Sequence, residues 1–236
     1  MKPDRRTARV AGVLFLVTEL AAIGGLVLYR PVLGGADYVL GPGADGRVFL
    51  GALCEVVLAA AVVGTGVTLY PAVRRQSEGI ALGYVCGRLV EAAVIIVGIL
   101  GVLSVVTLRQ EAAGDAHTAS FTAVAEGLVA LHDWAFLLGP NIALGLNTVL
   151  LAHLMYRSGL VPRPIAVLGL VGGPLICASA VAVMFGLYPQ VSGPGSAAAV
   201  PVFAWEVALA VRLVTKGFEP SPAHSAPTGQ VAPTPH

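Results

Sequence analysis

Residues 80–108 read IALGYVCGRLVEAAVIIVGILGVLSVVTL, and this segment sets the class of the protein. A membrane-spanning α-helix needs about 20 consecutive apolar residues. The segment exceeds that length and contains only two charged side chains, Arg88 and Glu91. It also lacks the alternation of polar and apolar residues that barrel strands show. We therefore predict a transmembrane helix.

The composition of the whole chain agrees with a membrane protein. Of its 236 residues, 56% are hydrophobic and 11% are charged, whereas soluble domains are about 25% charged. The mean hydropathy is +0.84. These values exclude an ordinary soluble enzyme and a disordered chain. The net charge of +1 excludes the basic surface that nucleic-acid binding requires, so no nucleic-acid partner is expected.

Five further apolar runs have a length and composition similar to those of residues 80–108. Together the runs predict an all-α, polytopic membrane protein whose transmembrane domain occupies residues 1–218. The last residues, 219–236, carry five prolines among Ser, Thr and Ala, which predicts a disordered tail. The six predicted transmembrane helices lie at about 10–28, 48–70, 80–108, 128–156, 165–187 and 197–214.

The distribution of Lys and Arg predicts the orientation in the membrane, because cytoplasmic loops carry more of these residues. With the N-terminus inside, three basic residues fall in outer segments: Arg30, Arg47 and Arg109. An even number of helices then places both termini, and the tail, in the cytoplasm. The composition fits a GC-rich bacterial gene, and we expect a multi-pass protein of the bacterial plasma membrane. The inner segments hold Lys2, Arg5, Arg6, Arg9, Arg74, Arg75, Arg157, Arg163, Arg212 and Lys216.

Five ionisable residues stand inside the apolar runs: Glu19, Glu55, Arg88, Glu91 and Glu206. At about 1.5 Å per residue, the four carboxyls lie about 10–16 Å from a predicted helix end, near the middle of the bilayer. A charge at that depth costs about 2.5–3.5 kcal/mol on insertion scales. We therefore expect these side chains to face the bundle interior and to cluster around Arg88, which shares a helix face with Glu91.

Two interpretations of this buried polar cluster remain open at the level of sequence. The carboxyls and Arg88 form a site for protons or a small polar solute, or Arg88–Glu91 is a structural pair and the other carboxyls are protonated groups that join helices. Replacement of Glu by Gln separates the two, because only the first predicts loss of an activity while the protein still folds.

A second polar group, His132 and Asp133, begins the fourth predicted helix beside Trp134. Adjacent helical residues point about 100° apart, so the pair cannot clamp one metal ion as a HExxH helix does. His117 in the preceding segment is the one residue that would extend such a site. We expect an outer-interface anchor and a helix cap instead. The sequence predicts no metal site, no cofactor and no catalytic residues.

Two pairs of glycines four residues apart allow helices to approach closely in lipid. They are Gly83 with Gly87 in the third predicted helix and Gly169 with Gly173 in the fifth. Both pairs are compatible with packing inside one chain or with the contact surface of a homo-oligomer. Besides the lipid bilayer, a second copy is therefore one candidate partner.

Several motifs, in their order and spacing, resemble the bacterial integral membrane proteins of the domain of unknown function 4386 family. The resemblance covers about residues 8–218, and positions 88, 91 and 206 match the family's Arg, Glu and Glu. A typical member has Trp near position 212, where this chain has Arg212. The resemblance implies the fold and no activity or cofactor. It rests on Arg88-Leu-Val-Glu91-Ala-Ala, Leu138-Gly-Pro-Asn141, Tyr156-Arg-Ser-Gly-Leu-Val-Pro-Arg163, Ala166-Val-Leu-Gly-Leu-Val-Gly-Gly173, Trp205-Glu206 and Val214-Thr-Lys-Gly-Phe218.

Three classes of function follow from these features. The first is a non-enzymatic membrane protein whose buried carboxyls form a small-solute or proton site. The second is an interaction or regulatory module that packs against a partner membrane protein. The third, a membrane-embedded enzyme, has the least support, because the sequence has no GxSxG motif and no metal-ligand spacing.

Overall fold

The computed structural model describes residues 5–33, 37–41, 43–112 and 118–219. Within these ranges the chain is helical, without strands. Most of the predicted tail lies outside the described residues, as do Lys2 and His117. The helices are α1 (Arg5–Leu28), α2 (Arg30–Leu33), α3 (Asp37–Leu40), α4 (Asp45–Val73), α5 (Glu78–Ala112), α6 (Thr118–Phe136), a π-helical segment (Leu137–Ala143), α7 (Leu144–Ser158), α8 (Arg163–Met184) and α9 (Gly193–Thr215).

In the part of the chain that the structure describes, six helical stretches are long and apolar enough to cross a membrane. They are α1, α4, α5, the continuous stretch from α6 through the π-helical segment to α7, α8, and α9. The predicted all-α fold with six membrane-spanning helices is confirmed, and the chain is a multi-pass membrane protein.

One boundary of a spanning helix differs from the hydropathy expectation by ten residues, and the others differ by five or fewer. The fourth spanning stretch begins at Thr118, ten residues before the expected start near residue 128. Its extra turns include the charged residue Glu126, so the helix continues past the apolar run that hydropathy detects. In addition, α2 and α3 occupy part of the segment between the first two spans that was expected to be a loop.

The spans pack as a closed ring. Helix α1 packs against α4, α4 against α5, and α5 against α6 and α7. Helix α7 packs against α8, α8 against α9, and α9 returns to α1. Side chains from non-adjacent helices can therefore meet in the interior of the ring.

Two hydrophobic clusters fill the ring, and a polar layer separates them. On α1, Phe15 belongs to the first cluster and Ala21 to the second. On α5, Tyr84 belongs to the first and Ala92 to the second. The residues between these positions include Glu19 on α1 together with Arg88 and Glu91 on α5. The membrane-embedded charges thus share one level of the bundle.

A polar network joins α3, the start of α4 and the end of α5. Arg109 Nε donates to Asp45 Oδ1 at 2.8 Å, and the Tyr38 hydroxyl donates to the same oxygen at 2.8 Å. Gln110 donates to the other Asp45 oxygen at 3.1 Å. Burial raises the pKa of Tyr38 to about 12, so its hydroxyl keeps the proton that it donates. This network fixes the end of the bundle that carries α2 and α3.

The π-helical segment has a local cause in its sequence. Pro140 has no backbone N–H and removes one helical hydrogen bond. The side chain of Asn141 donates instead to the carbonyl of Phe136 at 3.2 Å. In the π-helical register each N–H bonds to the carbonyl five residues back, so the backbone hydrogen bonds bypass the missing donor of Pro140. The Asn141 side chain adds a second donor to the Phe136 carbonyl.

Candidate functional site

Arg88 is the centre of the polar layer. Its Nη1 donates to both carboxylate oxygens of Glu91, at 3.2 and 3.1 Å. Its Nη2 donates to Glu206 Oε1 on α9 at 3.1 Å, and its Nε donates to the Tyr84 hydroxyl at 3.2 Å. Arg88, Glu91 and Glu206 are 2%, 3% and 5% exposed. The guanidinium therefore connects α5 to α9 across the ring without exposure to lipid.

Two neutral side chains complete the surroundings of this ion-pair network. Asn147 on α7 donates to Glu91 Oε2 at 2.8 Å. The ring of Phe15 on α1 lies 5.6 Å from the Arg88 guanidinium carbon, and the Tyr84 ring lies 5.5 Å from it. These contacts stabilise a buried cation through hydrogen bonds and the negative faces of aromatic rings.

Glu19 adds a third carboxyl to the site. It is half-buried on α1, and it lines the same cavity as Glu206, close enough for the two carboxyls to interact. We call Glu19, Arg88, Glu91 and Glu206 the Arg88 cluster. It contains three carboxyls and one guanidinium, so its acidic groups outnumber its cation.

Glu55 does not join this cluster. Its Oε1 lies 3.9 Å from His132 Nε2 on α6, which corrects the expected grouping around Arg88. The reason is depth: Glu55 packs against Gly25 on α1, which lies six residues, or about 9 Å, from Glu19 toward the α2–α3 end. The buried acids therefore form two separate groups.

His132 and Asp133 occupy positions different from those expected. The helix begins at Thr118, so these residues lie in its interior and cannot cap its N-terminus. His132 is buried, and its ring is edge-on to Tyr29 and stacked on Phe136. The Asp133 carboxylate is largely exposed and lies 3.4 Å from His132 Nδ1.

A cavity of about 210 Å³ lies beside the Arg88 cluster. We call it the inner cavity. All four residues of the cluster line it, together with apolar side chains from several spans. Among the described residues that line it, Arg88 is the single cationic side chain. The remaining polar lining residues are Thr18 and Asn141.

A larger cavity of about 410 Å³ lies toward the α2–α3 end. We call it the vestibule. Glu55, His132 and Asp133 line it, together with Tyr29. Trp134 and Val191 also line it and are 50% and 76% exposed, so the vestibule reaches the protein surface. It shares part of its wall with the inner cavity, namely Ala22, Leu58, Ile95, Phe136 and Pro140.

Most of the glycines in the two pairs spaced four residues apart face neighbouring helices of the same chain. A Cβ on Gly169 would lie 2.7 Å from the ring of Trp205, and one on Gly173 would lie 2.7 Å from the carbonyl oxygen of Gly145. A Cβ on Gly87 would overlap the Asn147 side chain. These glycines provide close packing within the chain. Gly83 is exposed, and a homo-oligomer formed through these pairs stays a prediction.

Two residues of the two sites, Tyr29 and Asn147, were not assigned to them by sequence reasoning, and His132 was singled out without its contact with Glu55. Tyr29 and Asn147 lie near or within apolar runs and have no motif around them. Two glycines that pack against vestibule residues are a partial sequence signal for that site. A Cβ on Gly25 would lie 2.9 Å from Glu55 Cγ, and one on Gly51 would lie 2.7 Å from the Tyr29 ring. Gly25 and Gly51 therefore make room for the vestibule's polar side chains.

A family model described as Domain of unknown function (DUF4386) matches residues 10–217. The match includes the Arg88 cluster, the vestibule residues and at least part of every spanning helix. The chain belongs to the DUF4386 family. This DUF4386 protein has no match among curated proteins or solved structures. Because the family description gives no activity, the function of this DUF4386 protein has to be argued from the geometry of its sites.

Proposed function

We propose that this multi-pass protein resides in the bacterial plasma membrane and binds protons at the Arg88 cluster, without acting as an enzyme. The observation that carries the proposal is that the Glu19 carboxyl lies close to the Glu206 carboxyl. The guanidinium of Arg88 already pairs with Glu91 and Glu206. The cluster contains more carboxyls than one cation can neutralise.

The chemistry of carboxyls supports this proposal. An ionised carboxylate only accepts hydrogen bonds, so two carboxyls can hydrogen-bond to each other only when one holds a proton. Glu19 and Glu206 line the same cavity and are close enough to interact. Two carboxylates that share a site repel each other strongly in surroundings of low dielectric, and one proton removes that repulsion. Glu19 and Glu206 therefore form a site for an exchangeable proton.

The inner cavity favours a proton-binding site over groups that only join helices. Side chains whose sole role is to connect helices are expected to be closely packed. Here the carboxyls line a space of about 210 Å³, which is large enough for water molecules. The vestibule lies next to this space, since the two cavities share five lining residues.

Infrared difference spectroscopy on the protein in lipid nanodiscs tests this proposal. The carbonyl stretch of a protonated carboxyl should disappear as the pH is raised and should be lost in both E19Q and E206Q. The control E78Q, which changes an exposed glutamate at the start of α5, should retain it. A carbonyl stretch that persists at every pH, or that is unchanged in E19Q and E206Q, contradicts the proposal.

A further inference from the structure

We infer that the vestibule binds a protonated amine with an apolar body, with the ammonium group held at Glu55. This site is separate from the Arg88 cluster. Glu55 and His132 come from α4 and α6, whereas the cluster is built on α1, α5 and α9. A ligand in the vestibule therefore does not need to displace any contact of Arg88.

The charges of the lining favour a cation. Glu55 and Asp133 line the vestibule, and His132 lies between their carboxyls, 3.9 Å from the first and 3.4 Å from the second. Among the described residues that line it, none is Lys or Arg. Even with a charged imidazolium, two carboxylates face one cation, so the lining carries an excess negative charge. A cleft with one sign of charge and apolar walls concentrates ions of the opposite sign.

Tyr29 provides a second observation that points to a ligand. It is fully buried and lines the vestibule. Its hydroxyl lies beside Glu55 but does not meet hydrogen-bond geometry, and it has no other partner within the described part of the chain. Buried hydroxyls normally have a partner. A hydroxyl oxygen accepts a hydrogen bond from an ammonium group, so Tyr29 and Glu55 together offer two acceptors to one donor group.

The remaining lining fits the apolar part of such a ligand. The volume of about 410 Å³ falls in the range of about 300–1,000 Å³ that small-molecule sites occupy. Most of the lining is aliphatic or aromatic, and Trp134 and Phe136 present rings next to the acidic groups. Aromatic faces attract organic cations and also cover apolar surface. A simple inorganic cation would make no contact with most of this apolar lining.

Calorimetric titration of the full-length protein in nanodiscs, with empty nanodiscs subtracted, tests the inference. Two amines of different size, 2-phenylethylamine and dibenzylamine, are compared with the neutral 2-phenylethanol. We expect at least one amine to bind more tightly than the alcohol. E55Q should weaken amine binding by about tenfold or more and leave alcohol binding unchanged, because only the charge of the site is removed. Y29F should weaken amine binding by a smaller factor.

E126Q is the matched control, because Glu126 is an exposed glutamate on α6 outside the vestibule lining. Its amine affinity should equal that of the unmodified protein. The amine–alcohol comparison uses the unmodified protein, so the inference stays testable if E55Q fails to fold. Equal binding of amine and alcohol, or an unchanged affinity in E55Q, overturns the inference, as does absence of binding by both amines. None of these results bears on Glu19 and Glu206, which the infrared experiment examines.

Discussion

Arg88 connects two helices through a geometry that a guanidinium provides and an ammonium does not. Its three nitrogens donate in three directions, to Tyr84, Glu91 and Glu206. Lysine offers a single nitrogen at the end of a flexible chain and cannot keep all three contacts with good geometry. The buried charge is tolerated because its donors are paired in this way.

Removal of Arg88 should therefore destabilise the fold. We expect R88M to lower the free energy of unfolding by about 3–5 kcal/mol, because Glu91 and Glu206 are left buried without their cation. Reversible unfolding of the protein in bicelles or mixed micelles measures this quantity. The control R75M removes an exposed arginine and should have little effect. If R88M is as stable as the unmodified protein, the network does not stabilise the fold.

For single residues, the sequence predicts the polar layer best where a charged residue interrupts an apolar run. Glu19, Arg88, Glu91 and Glu206 stand out because each interrupts an apolar run, and they lie at one level of the bundle. Glu55 stands out equally but belongs to another group. Counting residues along each helix gives only a coarse depth, which did not resolve the offset of Glu55, and it gives neither the rotation of a helix nor the identity of its neighbours.

The fourth span shows how one element adapts to a proline in its interior. Pro140 interrupts the helical hydrogen bonds, and the chain continues through a π-helical segment rather than ending. Such segments are frequent at functional sites. Here Pro140 lines both the inner cavity and the vestibule. The irregular turn is therefore located at the wall that the two cavities share.

The role of Asn141 can be tested by a double-mutant cycle. N141A should lower the free energy of unfolding by about 0.5–1.5 kcal/mol, because the Phe136 carbonyl loses its side-chain donor. In a P140A background the new backbone N–H can bond to that carbonyl, so the same N141A change should cost less. Equal costs in both backgrounds contradict a direct connection between Pro140 and Asn141.

Hydropathy predicts the existence of each span better than its ends. The apolar run shows where a helix would lie in hydrocarbon, and all six spans exist. Helical hydrogen bonding continues beyond that run, as it does from Thr118 into the fourth span. The π-helical segment was not predicted, because a proline in a long helix is equally compatible with a simple bend.

For the whole molecule, the ring brings the first and last spans together. The short connections explain why consecutive spans are neighbours. The contact of α1 with α9 joins the two ends of the transmembrane domain. A Cβ on Gly12 would lie 2.7 Å from the carbonyl oxygen of Ala210, so the two backbones are close. No local sequence pattern predicts this contact, because it forms only when the entire chain is folded.

Chemical labelling of cysteines tests the predicted orientation of this ring. In a background with Cys54, Cys86 and Cys177 replaced by Ala, a new cysteine is placed at an exposed position at either end. Val191→Cys should react with a membrane-impermeant maleimide added to intact cells, whereas Arg75→Cys should react only after permeabilisation. The opposite result would place the α2–α3 end in the cytoplasm and reverse the assigned topology.

The contact between the first and last spans also constrains how the protein is made. Glu206 lies on the final span, so a nascent chain holds Glu19 and Arg88 in the membrane before Glu206 has been synthesised. During that interval the guanidinium has Glu91 as its acidic partner on the same helix, and Glu19 faces an incomplete interior. Insertion of the sixth span is therefore the step that seals the polar interior from lipid, and chains truncated before that step should be substrates for membrane quality-control proteases.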